Sequence, residues 1–213
     1  MPRDYRDDHD ITVEPVEGLP EALPRGETIL WQGRPDTNAL ARAALSLTWV
    51  AGYFAVLAFW RVASLAADMG WTAAAPYALP FLGLGAAACG LLWVIARVQA
   101  RATVYTITTE RVAMRIGAAL TVTLNLPLAK IAAADLSKGP GGTGTIALST
   151  IEGTRLSYAV LWPHMRPWHM TRVQPALRAI PDAERVAAIL ADAVEARAAR
   201  PQISAMAMAV AAE

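Results

Sequence analysis

Two long apolar runs dominate the hydropathy pattern of the chain. Residues 43–60 and 73–96 contain no charged side chain, which gives uncharged runs of 18 and 24 residues. A helix needs about 20 predominantly apolar residues to cross the hydrocarbon core of a bilayer. Two buried helices of a large soluble core would show the same pattern, but a chain of 213 residues has too little other material to surround them. We therefore predict a transmembrane helix in each run, joined by a linker at residues 61–72.

The positions of the arginines predict how this hairpin is oriented. The linker contains Arg61 and Asp68, whereas further arginines lie on the opposite side of both runs, at positions 34, 42, 97, 101, 111 and 115. Basic residues of short loops stay on the cytoplasmic side of a membrane. We therefore expect both termini to be cytoplasmic and the linker to be periplasmic.

After residue 102 the pattern changes to short runs rich in β-branched residues and separated by turn signals. Such runs are typical of an antiparallel sheet. The predicted strands are residues 103–108, 111–117, 120–125, 130–136, 144–150 and 155–161. A further short strand at residues 27–32 precedes the first apolar run.

A C-terminal helix completes the predicted domain. Residues 162–181 are punctuated by prolines, and the following segment has a helical period that places Val186, Ile189, Leu190 and Val194 on one face. We predict a membrane α + β fold, with a two-helix transmembrane hairpin and a cytoplasmic domain at residues 102–198. In that domain, six or seven strands are closed by one helix, and residues 199–213 form a tail that is flexible or lies on a surface.

Small residues line one face of each predicted transmembrane helix. Ala51 and Ala55 share a face of the first helix, and Gly83, Ala87 and Gly90 share a face of the second. Such faces let helices approach closely, within a hairpin or between subunits, so a homodimer is one expectation. Neither run contains an ionisable side chain of the kind that lines a transport path. The helices are therefore interpreted as an anchor and a docking surface.

Charge and cysteine content narrow the function classes. The formal net charge of +1 gives no reason to expect nucleic-acid binding. The single cysteine, Cys89, excludes a disulfide framework within the chain. Residues 1–24 are acidic and lack the apolar core of a signal peptide, so we expect a flexible tail, followed by a juxtamembrane segment at residues 25–42.

Two tryptophan- and proline-containing stretches are candidate partner-binding surfaces. The first is a turn that ends the strand at residues 27–32 and comprises Trp31, Gly33, Arg34, Pro35 and Asp36. The second contains Trp162, His164, Arg166 and Trp168. Tryptophan and arginine are favoured at protein–protein hot spots. The alternative is structural: Trp31 could anchor at the membrane interface or pack on the domain, and Trp162 and Trp168 could pack beneath the terminal helix.

Other motifs give little support for catalysis or for a metal site. His164 and His169 have prolines between them, and no third ligand lies nearby, whereas zinc takes three or four ligands. Neither histidine has an evident nucleophile or carboxylate partner. The sequence GPGGTG at residues 139–144 lacks the Gly-Lys-Ser/Thr ending of a phosphate loop, so a hairpin loop is expected.

Several stretches together resemble the PuhB family of photosynthetic-complex assembly proteins of purple bacteria. They are GLPEALPRGETILWQGRPD, TVYTITTERVAMRIG, LPLAKIAAADL, LWPHMRPWHM and QPALRAIPDAERVAAILA, and they extend over residues 18–197. The resemblance implies a bacterial PH-like barrel on a membrane hairpin in the inner, photosynthetic intracytoplasmic membrane. It further implies a non-enzymatic role in building the reaction centre and light-harvesting 1 complex, with the polypeptides of that complex and membrane lipids as partners.

The resemblance also raises the questions of pigment and lipid binding. Stable bacteriochlorophyll binding in a light-harvesting helix generally uses an intramembrane histidine, and neither predicted span contains one, so we expect no cofactor. Familiar PH domains bind phosphoinositides through basic residues of their first hairpin. That turn is Thr108-Thr109-Glu110 here and is followed by Arg111 alone, which argues against headgroup recognition there. The alternative functions are a general PH-like module of envelope quality control, a small transporter subunit and a membrane hydrolase that uses His164 or His169.

Overall fold

The computed structural model describes residues 18, 19, 21–117, 121–151 and 156–210. In this part of the chain, seven strands and six α-helices alternate with short 3₁₀ turns. The strands are β1 (Ile29–Gly33), β2 (Val104–Thr108), β3 (Arg111–Ile116), β4 (Val122–Pro127), β5 (Ile131–Lys138), β6 (Gly144–Thr150) and β7 (Ala176–Ile180). The helices are α1 (Thr37–Ala44), α2 (Leu47–Met69), α3 (Trp71–Ala74), α4 (Leu79–Ala102), α5 (Tyr158–Leu161) and α6 (Ala183–Val210).

Helices α2 and α4 form an antiparallel hairpin and are long and apolar enough to cross a membrane. Only 6% of the most apolar window of each is buried within the structure. Most of their apolar surface therefore faces outward, unlike that of helices in a soluble core. Helix α2 continues beyond the uncharged run and ends at Gly70, whose φ of 80° is left-handed. The N–H of Gly70 makes the last helical hydrogen bond, to the Ala66 carbonyl, and the helix ends because the Gly70 backbone then leaves the helical conformation, whereas Arg61 lies within the helix.

Strand β1 lies before the helical hairpin in sequence but joins the sheet that follows it. It pairs antiparallel with β2, with Trp31 opposite Ile107 and Gly33 opposite Tyr105, and β3 and β4 extend the sheet in order. The predicted strand at residues 27–32 is thus confirmed, with a one-residue shift at its end. The hairpin is an insertion between two adjacent strands of one sheet, so the sheet fixes both ends of the hairpin.

A second antiparallel sheet contains β5, β6 and β7. Strands β5 and β6 form a hairpin in which Lys138 pairs with Gly144, so the hairpin-loop interpretation of GPGGTG is confirmed. The strand predicted at residues 155–161 is wrong, because Tyr158–Leu161 forms one helical turn. Strand β7 occupies the edge of β6 instead, within the passage in which no strand was predicted. Once β7 pairs with β6, that edge has no free hydrogen-bonding groups for another strand.

The predicted closed barrel is not found. Among the described residues, the two sheets remain separate in their hydrogen bonding and share a hydrophobic core. Of the apolar face predicted for the C-terminal helix, Val186 and Leu190 are buried in this core and Val194 packs against it, whereas Ile189 is half-buried. The helix extends into the predicted tail, as far as Val210. Packing of side chains, and not a continuous ladder of strands, therefore joins the two halves of the domain.

Candidate functional site

The first candidate stretch is built around the contact between Trp31 and Gly33. A Cβ atom placed on Gly33 would lie 2.4 Å from Cζ2 of the Trp31 ring. Alternate residues of a strand share a face, so the indole extends over the glycine two residues further on. Trp31 is half-buried and packs against the main core. Its ring therefore packs on the domain, and glycine is required at position 33 because any side chain would displace the ring.

The next residues connect the domain to the helical hairpin. Nη1 of Arg34 donates a hydrogen bond of 3.0 Å to the carbonyl oxygen of Arg101, at the end of α4. Pro35 is buried. The backbone N–H of Asp36 donates to the carbonyl of Ala179 in β7 over 2.7 Å. The carboxylate Oδ1 of Asp36 accepts from the N–H of Ala39, also at 2.7 Å, and so caps the N-terminus of α1.

Helix α1 packs between α4 and β7. Leu40 is fully buried in a small second core with Ala39, Ala100 and Ala179. On the outer side, the indole Nε1 of Trp93 donates to Oδ1 of Asn38 over 3.0 Å. We refer to residues 31–44 as the collar, because they connect both sheets to the ends of the hairpin. The candidate residues Trp31, Arg34 and Asp36 of the collar are therefore each explained by contacts within the chain.

The second candidate stretch, residues 162–168, contains His164, which belongs to a buried cluster of polar side chains. The ring of His164 is fully buried, with Nδ1 2.6 Å from the Tyr105 hydroxyl and Nε2 3.1 Å from Thr103 Oγ1. The Tyr105 oxygen also accepts from the backbone N–H of Arg178 at 3.3 Å. All groups are satisfied when Tyr105 donates its proton to Nδ1 and Nε2–H donates to Thr103. The cluster therefore requires the neutral imidazole.

Burial explains the protonation states of this cluster. It lowers the pKa of His164 to about 4, with the charge of Arg178 acting in the same direction. Burial likewise raises the pKa of the Tyr105 hydroxyl well above its usual range. Because His164 has no exposed surface, its side chain cannot contact a partner directly, although it was a candidate contact residue. Its observed role is to hold the chain at the base of the exposed loop.

The loop above this cluster exposes large apolar side chains. Trp162 is 46% exposed, Trp168 88% and Met170 62%, so packing beneath the terminal helix is not observed. The base of the loop is ordered by hydrogen bonds from Arg166 N to Gln174 O and from Ala176 N to His164 O. We refer to residues 162–170 as the tryptophan loop. It presents exposed aromatic surface on a fixed base.

Arg166 stabilises the tryptophan loop from the side. Its Nη1 donates to Oδ2 of Asp135 in β5 at 2.6 Å and to Oε1 of Gln174 at 3.2 Å.

The other histidine of the loop, His169, contacts the carbonyl of Pro167 at 2.9 Å through Nδ1. Within the described parts of the chain, no group of three or more His, Cys, Asp or Glu side chains could hold a metal ion.

The structure separates the two small-residue faces that were predicted on the hairpin. Ala51 and Ala55 face α4 and line a small gap with Gly85 and Cys89. Gly85 is the closest approach, since a Cβ there would lie 2.7 Å from Cβ of Phe54. Gly83, Ala87 and Gly90 are instead exposed, and a Cβ added to either glycine meets no atom within 4 Å. This face of α4 therefore points away from its partner in the hairpin.

The described residues also form a cleft that sequence reasoning missed. It has a volume of about 490 Å³ and lies between α1, the β5–β6 hairpin and the base of the tryptophan loop. Its charged lining residues are Arg42, Asp135, Lys138, Arg166 and Arg178. Arg178 is 7% exposed and donates from Nη2 to the carbonyl of Ala43 at 2.6 Å and from Nη1 to that of Pro163 at 3.2 Å. The one sequence signal for this cleft was an arginine, Arg178, inside the apolar run ALRAI.

In familiar PH domains the turn of the first hairpin carries basic residues that bind lipid. In this chain the Arg111 side chain at that turn is paired with a carboxylate. Nε of Arg111 donates to Oε1 of Glu27 at 2.9 Å, and the same oxygen accepts from the Thr108 hydroxyl at 2.7 Å. The Glu27 side chain is only 4% exposed. The Arg111 side chain is therefore paired with a buried carboxylate.

Comparison with known proteins identifies the family. The model of the family described as bacterial PH domain matches residues 40–194, which include both apolar helices. The chain belongs to this family. A protein of Rhodobacter capsulatus, described as an uncharacterised 23.7 kDa protein in the puhA 5′ region, is 48% identical over 198 residues, with 92% of each chain covered. No solved structure matches the chain.

Proposed function

We propose that this bacterial PH-domain protein is anchored in the membrane by α2 and α4, with the domain on the cytoplasmic side. The outward-facing apolar surface of both helices and the arginines at positions 34, 42, 97 and 101 support this arrangement. Trp93 lies at the expected boundary, where tryptophan is favoured, and its hydrogen bond to Asn38 fixes the collar against α4. A reporter enzyme that functions only in the cytoplasm should be active when it is fused to the C-terminus. Activity of a C-terminal reporter that functions only in the periplasm would contradict the orientation.

We further propose that the protein assists assembly of the photosynthetic reaction centre and light-harvesting 1 complex by protein–protein contacts, without catalysis. The relative in the puhA 5′ region supports a photosynthesis-related context, and its match covers almost the whole chain. The observation that carries the contact mechanism is the tryptophan loop, with Trp168 88% exposed on a hydrogen-bonded base. Such a loop has little conformational entropy to lose when a partner binds. The outward face of Gly83, Ala87 and Gly90 offers a second surface, for nascent transmembrane helices or for a second copy of the chain.

Co-purification from photosynthetic membranes tests this role. A variant in which Trp162, Trp168 and Met170 are replaced by alanine should retain the folded domain and lose most of the reaction-centre and light-harvesting polypeptides. Val122 and Ile151 are also exposed apolar residues of the domain, so their double alanine variant is the matched control. Equal recovery with both variants would contradict the contact role of the tryptophan loop.

The glycine face is tested by a comparison within one helix. Gly83→Leu with Gly90→Leu places side chains in open space and should leave the hairpin intact while it reduces helix docking. Gly85→Leu must displace Phe54 and should destabilise the hairpin itself. Cross-linking in membranes would show whether the lost neighbour is another copy or a different polypeptide. Unchanged cross-links and co-purification in the Gly83/Gly90 variant would remove this surface from the proposal.

A further inference from the structure

The cleft of about 490 Å³ lies close to the expected membrane surface. Arg42 and Ala43 in the last turn of α1 form part of its wall, and α1 ends at Ala44, immediately before α2 begins at Leu47. Arg42 is five residues before Leu47, so at no more than about 3.6 Å per residue it lies within roughly 18 Å of the start of α2 along the chain. The location at headgroup depth rests on the proposed membrane insertion of the hairpin, and it does not depend on the assembly role.

The charges of the cleft favour an anion. Arg42 and the Lys138 side chain are exposed at its rim, the Arg166 side chain is 38% exposed, and Arg178 is buried. Asp135 is the one carboxylate among the described lining residues, and it is already paired with Arg166. Lys138 is paired with Glu184, which lies outside the lining, so Arg42 and Arg178 are the cations of the cleft that have no carboxylate partner among the described residues. The cleft therefore carries an excess of positive charge, although the whole chain is almost neutral.

Arg178 is the residue whose environment most requires a negative charge. Its hydrogen-bond partners are the carbonyl oxygens of Ala43 and Pro163, and its Nε has no partner among the described residues. Burial lowers the pKa of this guanidinium, because a charged group loses hydration there. A buried cation without a counter-charge costs free energy, and an anion bound in the cleft would offset part of that cost.

We propose that this cleft binds the phosphate of an anionic phospholipid headgroup. Arginine donors match phosphate geometry, and basic pockets beside transmembrane helices on the cytoplasmic side suit lipid headgroups. Pro167 lines the cleft and is followed directly in the chain by Trp168, whose side chain is 88% exposed. Aromatic side chains are favoured at membrane–water interfaces, so this neighbour favours a lipid over free phosphate. The site differs from the Arg111 turn, whose charge is already paired with Glu27.

Calorimetric titration of the purified full chain in neutral detergent tests the proposal without requiring membrane insertion. The probes are dihexanoyl phosphatidylglycerol, dihexanoyl phosphatidylcholine and inorganic phosphate. The test variant combines Arg42→Gln with Lys138→Gln, which removes two rim charges and keeps Arg178 in place. The control combines Arg25→Gln with Lys130→Gln, an identical charge change at exposed residues outside the cleft.

The expected result is saturable binding of phosphatidylglycerol that is at least about tenfold weaker in the cleft variant and unchanged in the control variant. Phosphatidylcholine, whose headgroup has no net charge, should bind at least about tenfold more weakly than phosphatidylglycerol. Equal affinity for inorganic phosphate would overturn the lipid assignment in favour of a free-phosphate site. Equal weakening in both variants, or no saturable binding of phosphatidylglycerol, would overturn the site.

A separate readout distinguishes this proposal from the assembly role. If the cleft variant binds phosphatidylglycerol normally but loses reaction-centre polypeptides, the cleft accepts an acidic protein segment and the lipid assignment is wrong. If it loses phosphatidylglycerol and keeps those polypeptides, lipid binding and assembly contacts are independent. The alanine variant of the tryptophan loop retains Arg42, Lys138, Arg166 and Arg178, so failure of its co-purification test leaves the cleft proposal intact.

Discussion

The collar and the tryptophan loop have similar sequences but opposite surroundings. Both contain tryptophan, arginine and proline, and both were predicted as partner surfaces. In the collar, Trp31 packs on Gly33 and on the core, and Asp36 caps α1. In the tryptophan loop, His164 and Met165 are buried, whereas Trp168 is 88% exposed.

This difference in burial distinguishes a stretch that makes internal contacts from a stretch that is available to a partner. The collar uses its conspicuous residues for intramolecular contacts that fix the domain relative to α2 and α4, so those groups are already satisfied. The tryptophan loop is anchored by His164, Met165 and Arg166 and leaves Trp168 88% exposed. Exposed aromatic surface on an ordered base is the arrangement expected of a contact site. Composition alone does not separate the two cases.

The largest expected effect is on the free energy of unfolding, when Trp31 and Trp168 are each replaced by alanine in separate variants. Trp31→Ala should lower the free energy of unfolding of the domain by about 3 kcal/mol, because it removes a packed indole from the core edge. Trp168→Ala should change it by less than about 0.5 kcal/mol, because its ring is exposed. Urea denaturation of both purified variants in neutral detergent measures the difference. Similar losses of stability would remove the distinction between the collar and the tryptophan loop.

The next effect concerns pH and the base of the tryptophan loop. The pKa of His164 is about 4 in the folded chain against 6.5 for the ordinary group, so the unfolded chain binds more protons between these values. The stabilisation from neutral His164 is therefore complete above pH 6.5 and is lost as pH falls through about 4. It should decrease by about 2 kcal/mol between pH 6.5 and pH 4.5.

The His164→Gln variant isolates this contribution. The gap in unfolding free energy between the unmodified chain and the variant should narrow as pH falls through this window. His169→Gln removes an imidazole from the same loop but not from the buried cluster, and it serves as the control. A gap that stays constant with pH would show that His164 does not carry the predicted protonation linkage.

A smaller effect tests the local geometry of the collar. Gly33→Ala should lower the free energy of unfolding by about 1 to 2 kcal/mol, because the new methyl group must displace the Trp31 ring. The emission spectrum of Trp31, in a variant that lacks the other six tryptophans of the chain, should shift to longer wavelength as the ring is exposed. Gly90→Ala meets no atom within 4 Å and is the matched control. An unshifted spectrum would contradict the stacked arrangement.

The smallest effect concerns the cap of α1. Asp36→Ala should cost about 1 kcal/mol, since the first turn of α1 loses its acceptor for the Ala39 N–H. Asp36→Asn, which keeps a side-chain acceptor, should restore most of that loss. Hydrogen exchange of the α1 amides measures the change directly. Equal exchange rates in the two variants would show that the cap does not stabilise α1.

Local patterns predicted most of the individual elements. Uncharged runs marked both long helices, and β-branched runs marked five of the strands of the domain, because hydrophobic period and backbone propensity act within a few residues. The strand predicted at residues 155–161 failed for a non-local reason, since β7 occupies the neighbouring position along β6. The second sheet and the open arrangement likewise depend on pairings between distant residues.

The candidate site was harder to predict than the fold. His164 and Trp168 are close in sequence, yet one is fully buried and the other is 88% exposed. Prolines and aromatic residues alternate here without a helical or strand period, so the sequence does not predict which of these side chains is buried. Arg42, Lys138 and Arg178 come from three separate elements, so their convergence on one cleft has no signature in any single stretch.

The sequence by itself determined which segments are apolar enough to cross a membrane, which segments form β1 to β6, and where the amphipathic helix lies. These properties depend on side chains that are near neighbours along the chain. The tertiary structure decided that β1 joins β2 across the inserted hairpin, that Trp31 and Asp36 of the collar make contacts within the chain, and that the tryptophan loop and the cationic cleft face outward. Burial and charge compensation at a residue are set by what distant segments place around it, and that information enters only when the chain is folded.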